Sequence, residues 1–101
     1  MAGDDDNAPA ALRLPPVLDL NAAAPLADEL TGLRGRPVTL DGSAVQRLGA
    51  QCLQVLLSAR ATWEADGLGF GLSEPSAEMV AALELLGAPA EQTFPIPELS
   101  R

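Results

Sequence analysis

The sequence predicts an α/β fold: one domain with a small mixed β-sheet of about four strands and helices mainly on one face. Three observations predict it. The chain has 101 residues, 48 % of them apolar, which suits one domain with an ordinary core. Short apolar runs with strand character alternate with longer segments whose apolar residues recur every three or four positions. The resulting order is strand, strand, helix, strand, helix, strand, helix, and this alternation favours a sheet with helices packed against it. With an aromatic share of 3 % and no Tyr, that core must be built from Leu, Val and Ala.

Residues 1–10 hold Asp4, Asp5, Asp6, Asn7 and Pro9 and no large apolar side chain after Met1, so they read as a disordered acidic tail. The domain spans residues 11–90. Ala11–Leu14 and Val17–Leu20 are strand candidates separated by Pro15 and Pro16. Asn21 suits a helix N-cap, and Leu26, Leu30 and Leu33 give the following helix one apolar stripe, with Pro25 near its first turn and Gly35 as its stop. Pro37–Asp41 reads as a strand ending in a Gly42–Ser43 turn. From about Gly49 to Asp66 the period becomes helical. Cys52, Leu53, Val55, Leu56, Ala59 and Trp63 share an apolar face, opposite a polar stripe of Gln51, Gln54, Ser58 and Thr62.

Leu68–Leu72 alternates large and small residues, as a strand does. Ser73 or Ser76 caps a last helix with Pro75 and Glu78 in its first turn, an apolar face of Met79, Val80, Leu83 and Leu86, and Gly87 at its end. Residues 91–101, with Pro95 and Pro97 around Phe94 and Ile96, read as an extended strap.

Composition excludes several function classes. A net charge of −8 argues against nucleic acid and anionic membrane as partners, and the six Arg residues are scattered. The absence of His removes the usual general base and the commonest metal ligand, so neither a metal nor a cofactor is expected. Cys52, the lone cysteine, sits among apolar neighbours and reads as a buried hydrophobe, without a pairing partner. Gly67, Gly69 and Gly71 alternate inside a strand with no Lys anywhere, which disfavours a phosphate loop. Asp41, Asp66, Glu74, Glu78 and Glu84 read as solvated charges. No apolar run reaches membrane-spanning length, and the acidic start is unlike a secretory leader, so a cytoplasmic protein is expected.

The most informative segment is Val38–Leu53. A strand ends in Asp41, Ser43 follows two places later, and Val45 and Leu48 anchor the loop before a helix beginning near Ala50. Asp41 and Ser43 suit local side-chain to backbone bonds that hold the turn. The free N–H groups of the helix start then face the surface beside a rigid loop, a docking geometry.

This segment resembles the sulphate-transporter and anti-sigma-factor-antagonist (STAS) domain family, whose hallmark is Asp-x-Ser-x-Val-x-x-(Ile/Leu)-Asp-(Ser/Thr)-x-Gly-Leu. Asp41, Ser43, Val45, Leu48 and Leu53 match in order and spacing. The last helix, Ser76 to Gly87, is also similar to the family's closing helix. Two departures stand out. Gly49-Ala50 replaces the Asp-Ser or Asp-Thr that a partner kinase phosphorylates in many members, and Cys52 replaces the Gly.

The Leu48–Leu57 sequence resembles small stand-alone members associated with bacterial chemotaxis clusters. The resemblance implies a non-catalytic regulatory module whose partner is a protein: a signalling kinase, a receptor or an anti-sigma-like protein. Its alternatives are a cytoplasmic subunit of a lipid or anion ABC transporter, or an anti-sigma factor antagonist. The expected partner-binding residues are Ser43, Arg47, Gly49, Ala50, Gln51, Gln54 and Ser58, on a loop structured by Asp41, Ser43, Val45 and Leu48. Ala50 has no hydroxyl, so no phosphorylation is expected there, and Ser43 is expected to be tied into the turn and poorly accessible.

Overall fold

The computed structural model describes residues 8–94. In chain order the elements are β1 (Ala10–Arg13), β2 (Val17–Leu18), α1 (Leu20–Gly32), β3 (Val38–Asp41), β4 (Arg47–Leu48), α2 (Ala50–Ala65), β5 (Phe70–Ser73), α3 (Ala77–Leu85) and the single turn α4 (Ala90–Thr93). β1 therefore begins at Ala10, one residue inside the stretch read as tail. The proposed strap meets the described chain only at its start, where residues 91–93 are helical and Phe94 is buried; residues 95–101 lie outside the described residues.

The α/β class holds, but the sheet is not one mixed sheet of about four strands. Three strands pair in the order β1-β3-β5, and β2 and β4 form a separate two-stranded sheet; every pairing is parallel. The connections explain this. Each pair of neighbouring strands is joined by a segment that contains a helix, and a crossover of that kind returns the chain in the same direction. The segment of β4, expected as loop, is a strand whose two residues are too few to carry a periodicity.

Within the larger sheet the register sets Leu12, Leu40 and Leu72 side by side, with Ala10, Val38 and Phe70 in the next row of the same face. Val38 and Leu40 are buried while Thr39 and Asp41 are half-buried, so one face carries most of the packing. Leu14, Leu18, Leu56, Met79, Leu83 and Phe94 complete a continuous core. α1 packs along α2, α2 against β5, and α3 against β4.

Several element ends differ from expectation by a residue or two. Asp19, not Asn21, caps α1: its Oδ1 accepts the Asn21 N–H at 3.0 Å, so the helix starts at Leu20. Pro25 consequently falls in the second turn, where its ring forgoes one intrahelical bond. Ser76 is the cap of α3. Leu86, placed on that helix's apolar face, is exposed because the helix ends at Leu85.

Trp63 is buried, with its indole N–H donating to the Arg36 carbonyl at 2.6 Å and its ring centroid 5.3 Å from that of Phe70. Asp66 is not simply solvated. Arg34 grips it with two bonds, Nε to Oδ2 at 3.0 Å and a terminal nitrogen to Oδ1 at 3.3 Å, tying the end of α1 to the end of α2.

Gly42 is the tightest point of the frame. A Cβ there would lie 2.7 Å from the Met79 sulfur, 3.2 Å from a Leu72 methyl and 3.2 Å from the Pro75 Cα. Met79 is fully buried and Pro75 contributes backbone, so neither has room to yield. Gly42→Ala is expected to destabilise the protein by about 1–3 kcal/mol, the usual range for overpacking, read as a lower denaturant midpoint.

The Arg34 guanidinium holds the Asp66 carboxyl below the ordinary carboxylate range. Such a group stabilises the fold above the carboxyl's unfolded pKa and loses that contribution as pH falls through its lower folded value. Asp66→Asn should therefore reduce the loss of stability on acidification, with urea midpoints converging on those of the unaltered protein at the lowest pH.

Candidate docking site

The site is assembled where β3 leaves the sheet. Asp41 Oδ1 accepts the Ser43 N–H at 2.9 Å, closing the turn as the residue types suggest. That bond is the main reason the Asp41 carboxyl titrates below its usual range; the Ser43 hydroxyl adds to it, and Arg13, its register partner on β1, adds less. The Gly42 N–H donates to the Ser73 carbonyl at 3.0 Å, and the Gly42 carbonyl accepts from Val45 at 3.3 Å and Ser76 at 3.0 Å. The Ser76 hydroxyl donates to the Val45 carbonyl and accepts the Met79 N–H at 3.0 Å. The loop is thus bound to the start of α3 through backbone groups and the Ser76 hydroxyl, and Val45 and Leu48 are buried beneath it.

β4 is fixed from the other side. The Gln46 and Arg47 N–H groups share the Pro16 carbonyl at 2.7 and 3.1 Å, and the Gly49 N–H donates to the Leu18 carbonyl at 2.9 Å. α2 starts immediately afterwards, with Gly49 as an extended N-cap that offers no side-chain bond. Ala50 is exposed, a methyl group at the first helical position.

Cys52, two residues on, is buried with its thiol 3.2 Å from the Asp19 carbonyl, and burial followed by the nearby Asp19 carboxylate pushes its pKa up. A thiol so protonated is a poor nucleophile.

Gln51, Gln54 and Ser58 are exposed along α2, and Thr62 is half-buried. They form one wall of a groove of about 390 Å³ between α1 and α2, whose other wall includes Ala23, Ala27 and Thr31. Among the described residues no carboxylate lines it, in a chain of net charge −8. Ser43, Arg47, Gly49 and Ala50 are not among its lining residues; they lie on the loop and helix start at its end.

Ser43 is exposed, against the expectation of poor access, although both its backbone N–H and its hydroxyl act on Asp41. The α1 wall was missed by the sequence reading. Its signal was present in Ala23, Ala27 and Thr31 at spacings of four, beside the Leu26–Leu30–Leu33 stripe that drew attention to the core.

Among the described residues no three His, Cys, Asp or Glu side chains come together as a metal site, and no helix is long and apolar enough to cross a membrane. A search of curated proteins finds no match. A family model described as "Mlab, STAS domain" matches residues 1–90. STAS domains serve in general as regulatory or interaction modules without catalytic activity. The Asp41–Leu53 motif lies within that match, on a parallel α/β frame that suits it, and the chain belongs to the STAS domain family.

Proposed function

We propose that this protein is a non-catalytic adaptor that binds a protein partner through the β4–α2 surface, in a signalling setting of the chemotaxis-associated kind. The observation that carries the reading is the start of α2. It is an outward-facing helix end held by backbone bonds on both sides, with a methyl group at Ala50 and neutral polar side chains at Gln51, Gln54 and Ser58. A surface so rigid loses little entropy when a partner orders it, and neutral amides and hydroxyls suit a reversible contact. Arg47, exposed on the adjoining strand, supplies the cation.

Ala50 makes the contact constitutive at this position. In members that carry a hydroxyl there, phosphorylation adds about −1.5 to −2 charges beside a helix N-terminus and changes what docks. This chain has no such lever at Ala50, so control rests with the partner. A second reading, which the family resemblance also implies, keeps the same surface and changes the partner to the ATPase of a lipid or anion transporter. Recovery of the full-length protein from its own cells distinguishes the two, since one yields a signalling kinase or receptor and the other an ATPase with its permease.

Arg47→Glu combined with Gln54→Glu should weaken partner recovery at least about tenfold, a change of about 1.4 kcal/mol, while the unfolding midpoint stays unchanged. Equal recovery by the double variant contradicts the assignment of the surface. Ala50→Glu should behave differently in stability and alike in binding. A carboxylate in the first turn of α2 favours the helix by about 0.3–1 kcal/mol, yet it places charge where the partner meets a methyl group. The expected result is an equal or higher midpoint with reduced partner recovery.

A further inference from the structure

We propose that the α3–α4 end of the molecule is a second docking surface, and that it takes a cationic amphipathic segment of another protein, with apolar side chains flanked by Lys or Arg. A groove of about 230 Å³ lies between these two helices. Buried Leu72 and Phe94 form its floor with half-buried Val80 and Ala90, and exposed Glu84 and Glu91 stand at its rim. The groove shares no lining residue with the one between α1 and α2.

The outer side of α3 adds a second feature. Ala77, Ala81 and Leu85 recur at spacings of four, which places them in one row along the helix, and all three are exposed. Leu85 is 88 % exposed, the most open large apolar side chain of the described residues. Glu78 and Glu84 belong to the same exposed side of the helix. This apolar row lies on the solvent side, separated from the groove residue Val80 by Glu84, and has no role in the core already formed by Met79 and Leu83 on the opposite side.

Charge selects the occupant. From Ala61 to Phe94 the sequence contains no Lys or Arg, but it holds Glu64, Asp66, Glu74, Glu78, Glu84 and Glu91. Asp66 is paired with Arg34, whereas Glu74, Glu78, Glu84 and Glu91 have no ion-pair partner among the described residues. A neutral segment covering the groove would strip water from the rim carboxylates without replacing it, and an acidic one would be repelled. A second copy docking the same face would bring like charges together, and nucleic acid or an anionic membrane would meet the same repulsion. A segment with leucine-like anchors and flanking cations satisfies both the groove and its rim.

The test is titration of the full chain with a short amphipathic peptide of leucine and lysine, using a leucine–glutamate peptide of equal length as control. The expected result is saturable one-to-one binding of the lysine peptide alone. Glu84→Lys with Glu91→Lys, and separately Leu85→Asp, should each weaken it about tenfold or more. Asp28→Lys with Glu29→Lys alters net charge by the same amount on α1, away from the groove, and should weaken binding less than about threefold at physiological salt, where distant charges are screened. Equal losses from the two charge-reversal pairs would show attraction to net charge alone and overturn the proposal. Absence of saturable binding, or binding of the glutamate peptide, overturns it as well.

Discussion

The arrangement depends on one close approach, the packing of the Gly42 backbone against Leu72, Pro75 and Met79. At this point the central strand of the larger sheet ends, the loop to the smaller sheet begins, and the chain entering α3 passes alongside. A side chain of any size would force these three segments apart. Because Gly42 has none, its N–H and carbonyl reach Ser73, Val45 and Ser76 directly, and the loop inherits the rigidity of the sheet. The same junction fixes where β4 runs, and β4 fixes where α2 starts. The proposed docking surface is therefore positioned by a backbone contact in which none of its own exposed residues takes part.

The other end of α2 is secured by different means. The Trp63 indole bonds to the Arg36 carbonyl and stacks at a tilt on Phe70, while Arg34 holds Asp66 across the ends of α1 and α2. These contacts lock the two helices side by side and keep the groove between them open along its length. Its small α1 wall, Ala23 and Ala27, leaves space that larger residues would fill. Stability and the proposed recognition are thus divided between faces of the same helix. Cys52, Leu53, Leu56, Ala59 and Trp63 face inward, and Gln51, Gln54 and Ser58 face outward.

Much of this was legible in the sequence because periodic burial leaves a periodic trace. The core face and the polar stripe of α2 were both readable from spacing alone, and so were the Asp41–Ser43 turn and the burial of Val45, Leu48 and Cys52. What was not legible lies in contacts between distant segments. The two-residue strands β2 and β4 exist because each completes the other, and neither carries a pattern by itself. The parallel direction of every pairing follows from helical crossovers, which set the path of the chain and are not written in any one strand. Ser43 is held to Asp41 as its residue type suggests and is still exposed, because the turn lies at the surface, and residue type does not decide that. The α1 wall of the groove was visible as small residues at helical spacing, but its meaning appears only once α2 lies beside it.

In the proposed function the start of α2 binds its partner unmodified, on a surface preformed by the Gly42 junction. Hydrogen exchange on the complex purified from native cells, with the intact mass of the bound protein recorded in parallel, tests it most directly. The expected result is the unphosphorylated mass together with new protection across residues 46–58 upon binding. A bound form that carries phosphate on Ser43 or Ser58, or protection confined to other segments, would contradict it.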